Sequence, residues 1–204
     1  MSREIWQGYN MKAIQLARFP KIKHAQDNWC IPAAIENVVR YHGGDLSQQQ
    51  IVAWIKEVSG SSEHIDIENV VGVLRKENGH GGFIYRTEQL SSQKKSMDTA
   101  AFFALVRAAI TQNLPPIVVM EFPSCWYLPG YSAGCEHYVL TIIGITQNHV
   151  LIWDTNPAVM ALPIVVSNEW ILSHLSPATT MLWVIPCEKE ERFHMLLTGE
   201  QEEP

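Results

Sequence analysis

Residues 26–44 read QDNWCIPAAIENVVRYHGG, and this stretch decides how the N-terminal half of the chain folds. Apolar side chains from Ile31 to Val39 recur on one helical face, and the stretch ends at Gly43-Gly44, where the backbone can take a positive φ. Pro32 suits the first turn of a helix, because the N–H that proline lacks would have no partner there. We therefore predict a helix that begins directly after Cys30.

Cys30 would then lie at the positive end of that helix. The helix dipole and the N–H groups of the first turn favour a thiolate over a thiol, so they lower a cysteine pKa from about 8.5 toward the reactive range. The same N–H groups can bind a developing oxyanion. Cys30 is therefore the candidate nucleophile.

Three further helices and four strands follow from the spacing of apolar residues. Ser47 and Gln50 form a capping-box pattern that starts the second helix, and two more helical patterns run over 66–79 and 98–113. Short apolar runs in the second half predict strands over 117–122, 138–145, 150–153 and 181–185. The three-residue link 146–148 joins two of these strands as an antiparallel hairpin.

Helices followed by an antiparallel sheet form an α+β fold, with the two halves packed as layers around one core. We predict a single domain over residues 1–190, with a cleft where the layers meet. The charged tail over residues 191–204 ends in GEQEEP, and we expect it to be disordered.

A base and an orienting carboxylate follow from the predicted hairpin. His137 opens a long apolar strand, and a polar ring in that position must find a partner or point into a cleft. Asp154 ends the next strand, so the hairpin should return it beside the start of its partner and into contact with His137. Cys30, His137 and Asp154 would then act as nucleophile, base and orienting group.

Composition limits the classes of partner. The formal charge of −6 and the pI near 5.7 give no basic face for nucleic acid or an anionic membrane. The first thirty residues contain no uninterrupted apolar stretch of the kind that a signal peptide requires, and no apolar run is long enough to span a membrane, so we expect a cytoplasmic protein. Nothing in the sequence indicates a cofactor, and the oligomeric state is open.

Three blocks of the sequence carry the candidate residues: QDNWCIPAA at 26–34, EHYVL at 136–140 and WDTNP at 153–157. They resemble the corresponding blocks of papain-like cysteine peptidases, and they are most similar to the bacteriocin-processing (double-glycine) peptidase group. The resemblance implies a papain-like fold with Cys30 as nucleophile, His137 as general base and Asp154 as orienting carboxylate. It also implies Gln26 as a donor to the oxyanion, and it leaves Asn156 as a rival orienting group.

Two positions depart from the family pattern. His24 stands six residues before Cys30, where the family glutamine usually lies, whereas Gln26 stands four before. Ile31 replaces the glycine that commonly follows the cysteine, and it would narrow the space for a substrate carbonyl.

Other candidate residues surround these blocks. Trp29, Trp126 and Tyr127 are candidates for the wall of a substrate cleft. Cys125, Cys135 and His137 could form a zinc site with a fourth ligand, but no tight Cys-x-x-Cys pair accompanies them, so we expect no metal.

The predicted function is a thiol-dependent peptidase or amidase that works through an acyl-enzyme. One alternative is a papain-like acyltransferase, in which an amine replaces water as the acceptor. The other is a non-catalytic peptide- or protein-binding module, for which Ile31 and the displaced Gln26 would be signs of a decayed site. The partner would be a peptide or protein substrate, or a small acyl donor.

Overall fold

The structure is a computed structural model that describes residues 13–60, 65–76, 82–89, 99–121, 137–157, 162–175 and 179–198. For His137 it describes the backbone only. The described residues form a short 3-10 helix over Cys187–Lys189 and six α-helices: α1 Cys30–Tyr41, α2 Gln48–Ser59, α3 Ile67–Lys76, α4 Thr99–Thr111, α5 Asn168–His174 and α6 Glu190–Thr198. They also form seven strands: β1 Ile14–Gln15, β2 Phe83–Gln89, β3 Ile117–Glu121, β4 His137–Ile145, β5 His149–Asp154, β6 Ile164–Ser167 and β7 Thr180–Pro186.

The first two helices begin within one residue of where the sequence predicts. Helix α1 starts at Cys30, one residue earlier than predicted, and the chain turns after its C-terminal end at Gly43, which has a φ of 82°. The Ser47 side chain accepts a hydrogen bond from Gln50 N, and the Gln50 side chain accepts one from Ser47 N, so the predicted capping box is confirmed. Helix α2 ends at Ser59 and is capped by Gly60, whose left-handed backbone conformation suits glycine.

All strands pair antiparallel, in the order β2-β7-β3-β4-β5-β6, and β1 pairs with the end of β4. The predicted hairpin between β4 and β5 is confirmed, and Thr146 N donates to His149 O at 2.8 Å to close it. The register shifts between Ile142 and Gly144, which marks a β-bulge. Because of this shift, Asp154 pairs with Leu140 instead of Thr141.

Helices cover the sheet and complete one core. Helix α1 packs on β3, β4 and β7, while α4 packs on β1 and β4, and α2 and α3 pack on α1. Every residue of β7 is buried, so both faces of this strand are covered. This α+β arrangement, with the helix that carries Cys30 packed on an antiparallel sheet, is the predicted fold class.

The division into a helical half and a sheet half is not strict. Strands β1 and β2 come from the first half, and α5 and α6 come from the second. Strand β2 pairs along its whole length with β7. Because this partner is distant in the sequence, the seven residues of β2 carry little local pattern that would predict a strand.

The expectation of a disordered tail is wrong for residues 191–198. These residues lie in α6, and Phe193 is fully buried with its ring centroid 5.0 Å from that of Trp183. One large aromatic side chain therefore anchors a segment whose overall composition is charged.

Candidate active site

Cys30 is the first residue of α1 and is partly buried. Pro32 has no N–H, and Ala33 N donates to Trp29 O at 2.9 Å. Any backbone donation to an oxyanion at this helix end therefore falls to Cys30 and Ile31. The expected location of Cys30 at the positive end of a helix is confirmed.

Ile31, the residue expected to narrow the space beside Cys30, is buried. Its side chain is only 1% exposed and belongs to the main hydrophobic core. This burial does not favour the expectation that Ile31 would crowd a substrate carbonyl, which stays a prediction.

Residues 22–25, here called the strap, precede Cys30 and are held by side chains of α1 and α2. Asn37 Oδ1 accepts from Ile22 N at 2.8 Å, and Asn37 Nδ2 donates to Ile22 O at 2.9 Å. Gln48 Oε1 accepts from Ala25 N at 2.9 Å, and Gln48 Nε2 donates to Lys23 O at 3.2 Å. The two amide side chains thus pair with the strap as a neighbouring β-strand would.

The other side of the strap contacts the end of β5. Lys23 Nζ donates to Asp154 O at 2.8 Å, and His24 N donates to Thr155 O at 2.8 Å. Lys23 Nζ also lies 4.3 Å from the centroid of the Trp153 ring, within the range of a cation–π contact. These contacts bring the segment before Cys30 beside the strand that ends at the predicted orienting carboxylate.

Asp154 is 3% exposed, and its Oδ1 accepts from Asn156 N at 2.8 Å. This bond closes an Asx turn at the strand end. Burial lowers the pKa of Lys23, and the negative charge of Asp154 acts in the opposite direction and raises it. The ammonium and the carboxylate therefore lie close enough to interact in a partly desolvated site.

His137 opens β4 and pairs with Glu121 of β3. Asp154 pairs with Leu140, three residues further along β4, which is about 10 Å of strand. The contact predicted between the side chains of His137 and Asp154 involves atoms outside the described part of the chain and stays a prediction. Asn156 is half-buried next to Asp154, and its role as an alternative orienting group also stays a prediction.

The turn that leads into α1 contains two further candidates. Gln26 is exposed, and its carbonyl accepts from Trp29 N at 3.2 Å and lies 2.7 Å from His24 Nδ1. A carbonyl can only accept, so His24 Nδ1 carries the proton in this contact. Asn28 takes a φ of 69°, and Trp29 is half-buried against the core. The predicted roles of Gln26 in the oxyanion site and of Trp29 in the cleft wall are not tested by these contacts.

The remaining sequence candidates lie outside the described residues. These are Cys125, Trp126, Tyr127 and Cys135. Among the described residues, no group of three or more His, Cys, Asp or Glu side chains could hold a metal ion. No helix in those residues is both long enough and apolar enough to cross a membrane.

A cavity of about 430 Å³ lies elsewhere, between α3 and the edge strand β2. It is lined by Leu74, Arg75 and residues 83–88. Strand β2 is four positions from β5 in the sheet, or about 19 Å at ordinary strand spacing. The cavity therefore does not include Cys30 or Asp154.

Sequence reasoning missed Lys23, Asn37 and Gln48, which position the segment before Cys30. The sequence gives one weak indication of the role of Asn37, because an uncharged polar residue inside the apolar stretch of α1 should have a buried hydrogen-bond partner. Glu36 is buried beside it, accepts from Gln48 Nε2 at 3.0 Å and pairs with Arg40 Nε at 2.9 Å. The partners themselves could not be read from the pattern.

Comparisons with known proteins agree with this geometry. The peptidase domain of Streptococcus ComA, a bi-functional ABC transporter involved in a quorum sensing pathway, superposes with a TM-score of 0.54 at 16% identity, covering 83% of this chain and 99% of that domain. A double glycine motif protease from an AMS/PCAT transporter, solved with its leader peptide, gives 0.52 at 14% identity, covering 84% and 94%. At these identities the likeness establishes the papain-like fold.

A comparison with curated protein sequences gives no match for the chain. The sequence model of the Peptidase_C39 like family matches residues 14–164, which is well over half of the chain and includes all three sequence blocks. The chain therefore belongs to the Peptidase_C39 like family of cysteine peptidase-like proteins.

Proposed function

We propose that the protein is a thiol-dependent peptidase or amidase that uses Cys30, His137 and Asp154. The observation that carries the proposal is the pair of hydrogen bonds from Lys23 and His24 to Asp154 O and Thr155 O, because they bring the segment before Cys30 to the end of β5. Family membership and the position of Cys30 at the start of α1 support the same reading.

The proposed reaction has two steps. The Cys30 thiolate attacks the substrate carbonyl, and backbone N–H groups at the start of α1 stabilise the oxyanion. His137, oriented by Asp154, protonates the leaving amine and leaves a thioester. In the second step His137 takes a proton from a water molecule as this water attacks the thioester, and the acid is released. Gln26 is a further donor to the oxyanion, and Asn156 is the alternative orienting group.

A peptide is the substrate class that we propose, because one structural neighbour was solved with a leader peptide bound. A reducing compartment such as the cytoplasm would keep the thiol of Cys30 available for attack.

Thiol labelling tests the proposal with a control inside the chain. Cys187 is exposed whereas Cys30 is partly buried, so accessibility alone predicts that iodoacetamide modifies Cys187 faster. An activated Cys30 should reverse this order, with at least about tenfold faster labelling near pH 6.5 and an apparent pKa well below about 8.5. The rate at each cysteine would be measured by peptide mass mapping.

His137→Ala and Asp154→Asn extend the test to the two partners. The first substitution should abolish the rapid labelling of Cys30, and the second should reduce it. If wild-type Cys30 labels more slowly than Cys187 at every pH, the catalytic proposal fails and a peptide-binding module becomes the better reading.

A further inference from the structure

We propose that Lys23 is a positioning residue that fixes the end of β5, and with it Asp154, against the segment that carries Cys30. The inference rests on the proposed function, since the atoms that it positions are those of the proposed catalytic site. Lys23 itself contacts the main chain of Asp154 and has no assigned chemical step.

The strap is fixed first on the side that faces the helices. Asn37 is fully buried, and besides its two bonds to Ile22 it donates from Nδ2 to Ala33 O at 2.8 Å. Gln48 is also buried, and Glu36 Oε2 accepts from its Nε2 and from its backbone N. Both amide groups are therefore held in one orientation, so the strap has little freedom to shift relative to α1.

On the other side, two consecutive residues of the strap hold two consecutive carbonyls. Lys23 Nζ binds Asp154 O and His24 N binds Thr155 O, both at 2.8 Å. The same turn uses Asp154 Oδ1 to accept from Asn156 N. The orientation of the buried carboxylate is thus coupled to a peptide unit that the strap holds in place.

Lysine suits this position for two physical reasons. Its Nζ lies over the Trp153 ring, which attracts the ammonium, and the same group binds the Asp154 carbonyl and interacts with the negative charge of Asp154. Burial lowers the pKa of Lys23, so the ammonium is partly desolvated and its hydrogen bond is stronger than an exposed one would be.

The test compares Lys23→Met and Lys23→Arg with a matched control, Lys189→Met. Lys189 Nζ also donates to a main-chain carbonyl, Gln112 O at 3.3 Å, and burial lowers its pKa too, but it lies after β7 and away from Asp154. Lys23→Met should slow the labelling of Cys30 about tenfold, because a misplaced catalytic group costs that much or more. Lys23→Arg should keep most of the wild-type labelling rate of Cys30, and Lys189→Met should leave that rate unchanged.

Amide hydrogen exchange gives a second readout that does not depend on catalysis. The amides of His24 and Asn156 donate within this contact, so Lys23→Met should speed their exchange while Lys189→Met should not. If exchange at both amides is unchanged in Lys23→Met, the inference is wrong. If exchange speeds up but Cys30 labels at the wild-type rate, Lys23 has a structural role alone and the positioning claim is also wrong.

The two readouts separate the inference from the proposed function. If wild-type Cys30 is already slow, the proposed function fails, and so does the claim that Lys23 positions a catalytic group. The exchange experiment still decides whether Lys23 holds the end of β5. If wild-type Cys30 is fast but insensitive to Lys23→Met, the proposed function stands and only the inference is overturned.

Discussion

The strap before Cys30 and the strand that ends at Asp154 lie side by side, but different contacts hold them in place. The backbone of the strap pairs with the side chains of Asn37 and Gln48. The backbone of β5 pairs with β4 and β6 through ordinary strand registers, inside a continuous apolar core.

This difference indicates which part of the candidate site is sensitive to substitution. In a sheet, backbone pairs with backbone, so many apolar side chains can occupy a given position without loss of pairing. On the side of the strap that faces the helices, each backbone bond requires an amide side chain, and no apolar residue can replace it. The side chains that hold the strap should therefore tolerate far fewer substitutions than the apolar residues of β5.

The largest effect on stability should come from the apolar attachment of α1. Ile31→Ala removes a core side chain that is 1% exposed, so it should lower the free energy of unfolding by about 2 to 5 kcal/mol. The labelling rate of folded Cys30 should stay near the wild-type value, because the Ile31 side chain faces the core. Urea unfolding and labelling in the folded range would measure both. A large gain in labelling would mean that Ile31 does obstruct the site.

A matched pair of buried polar residues tests the contrast directly. Asn37→Leu leaves Ile22 N and O without their partner, and it should cost about 3 kcal/mol. Thr141 on β4 is equally buried, and within the described residues its Oγ1 has no hydrogen-bond partner. Thr141→Val should therefore be neutral or slightly stabilising. Equal losses in the two variants, measured by urea unfolding, would remove the contrast between the two regions.

The smallest effect concerns pH and the opposite end of α1. Burial, with a smaller contribution from Lys189, lowers the pKa of His42 to about 4, and Glu188 acts in the opposite direction. The unfolded chain has an ordinary histidine pKa near 6.5, so it binds the proton first and acid favours unfolding. This stabilisation is complete above about pH 6.5 and is lost as the pH falls toward about 4.

Because His42 is only half-buried, solvent screening should reduce the effect to at most about 2 kcal/mol. Unfolding in urea at about pH 7 and about pH 4.5 should show a smaller pH difference in His42→Gln than in the wild type. An unchanged difference would show that other groups account for the acid sensitivity.

The same contrast explains which features could be predicted from the sequence. The capping box at Ser47 and the hairpin over 146–148 depend on residues a few positions apart, so their patterns are local. Asn37 and Gln48 bind backbone groups 15 and 23 residues away, and nothing in a local window indicates such partners. Cys30 at the start of α1 could be predicted, whereas the contacts that position its preceding loop could not.

The bulge in β4 sets a similar limit. At Gly144 of this strand an added Cβ would lie 3.1 Å from Ile14 O, so a side chain would require its neighbours to move by a few tenths of an ångström. The hairpin link predicts which strands pair but not this one-residue shift, which moves the partner of Asp154 from Thr141 to Leu140. The facing strands were therefore predictable, and the exact neighbour of the carboxylate was not.

In mechanical terms, the strap anchors the chain to the sheet and to the helices at a point just before the candidate nucleophile. A force applied at Ala13 would first load the pairing of β1 with β4, and then the bonds of the strap. Those bonds divide the load between the sheet, through Lys23 and His24, and the helices, through Asn37 and Gln48. A pulling force on the preceding segment would therefore be transferred to the sheet and the helices before it reached Cys30. The position of the sulfur would change little even if the segment before the strap moved.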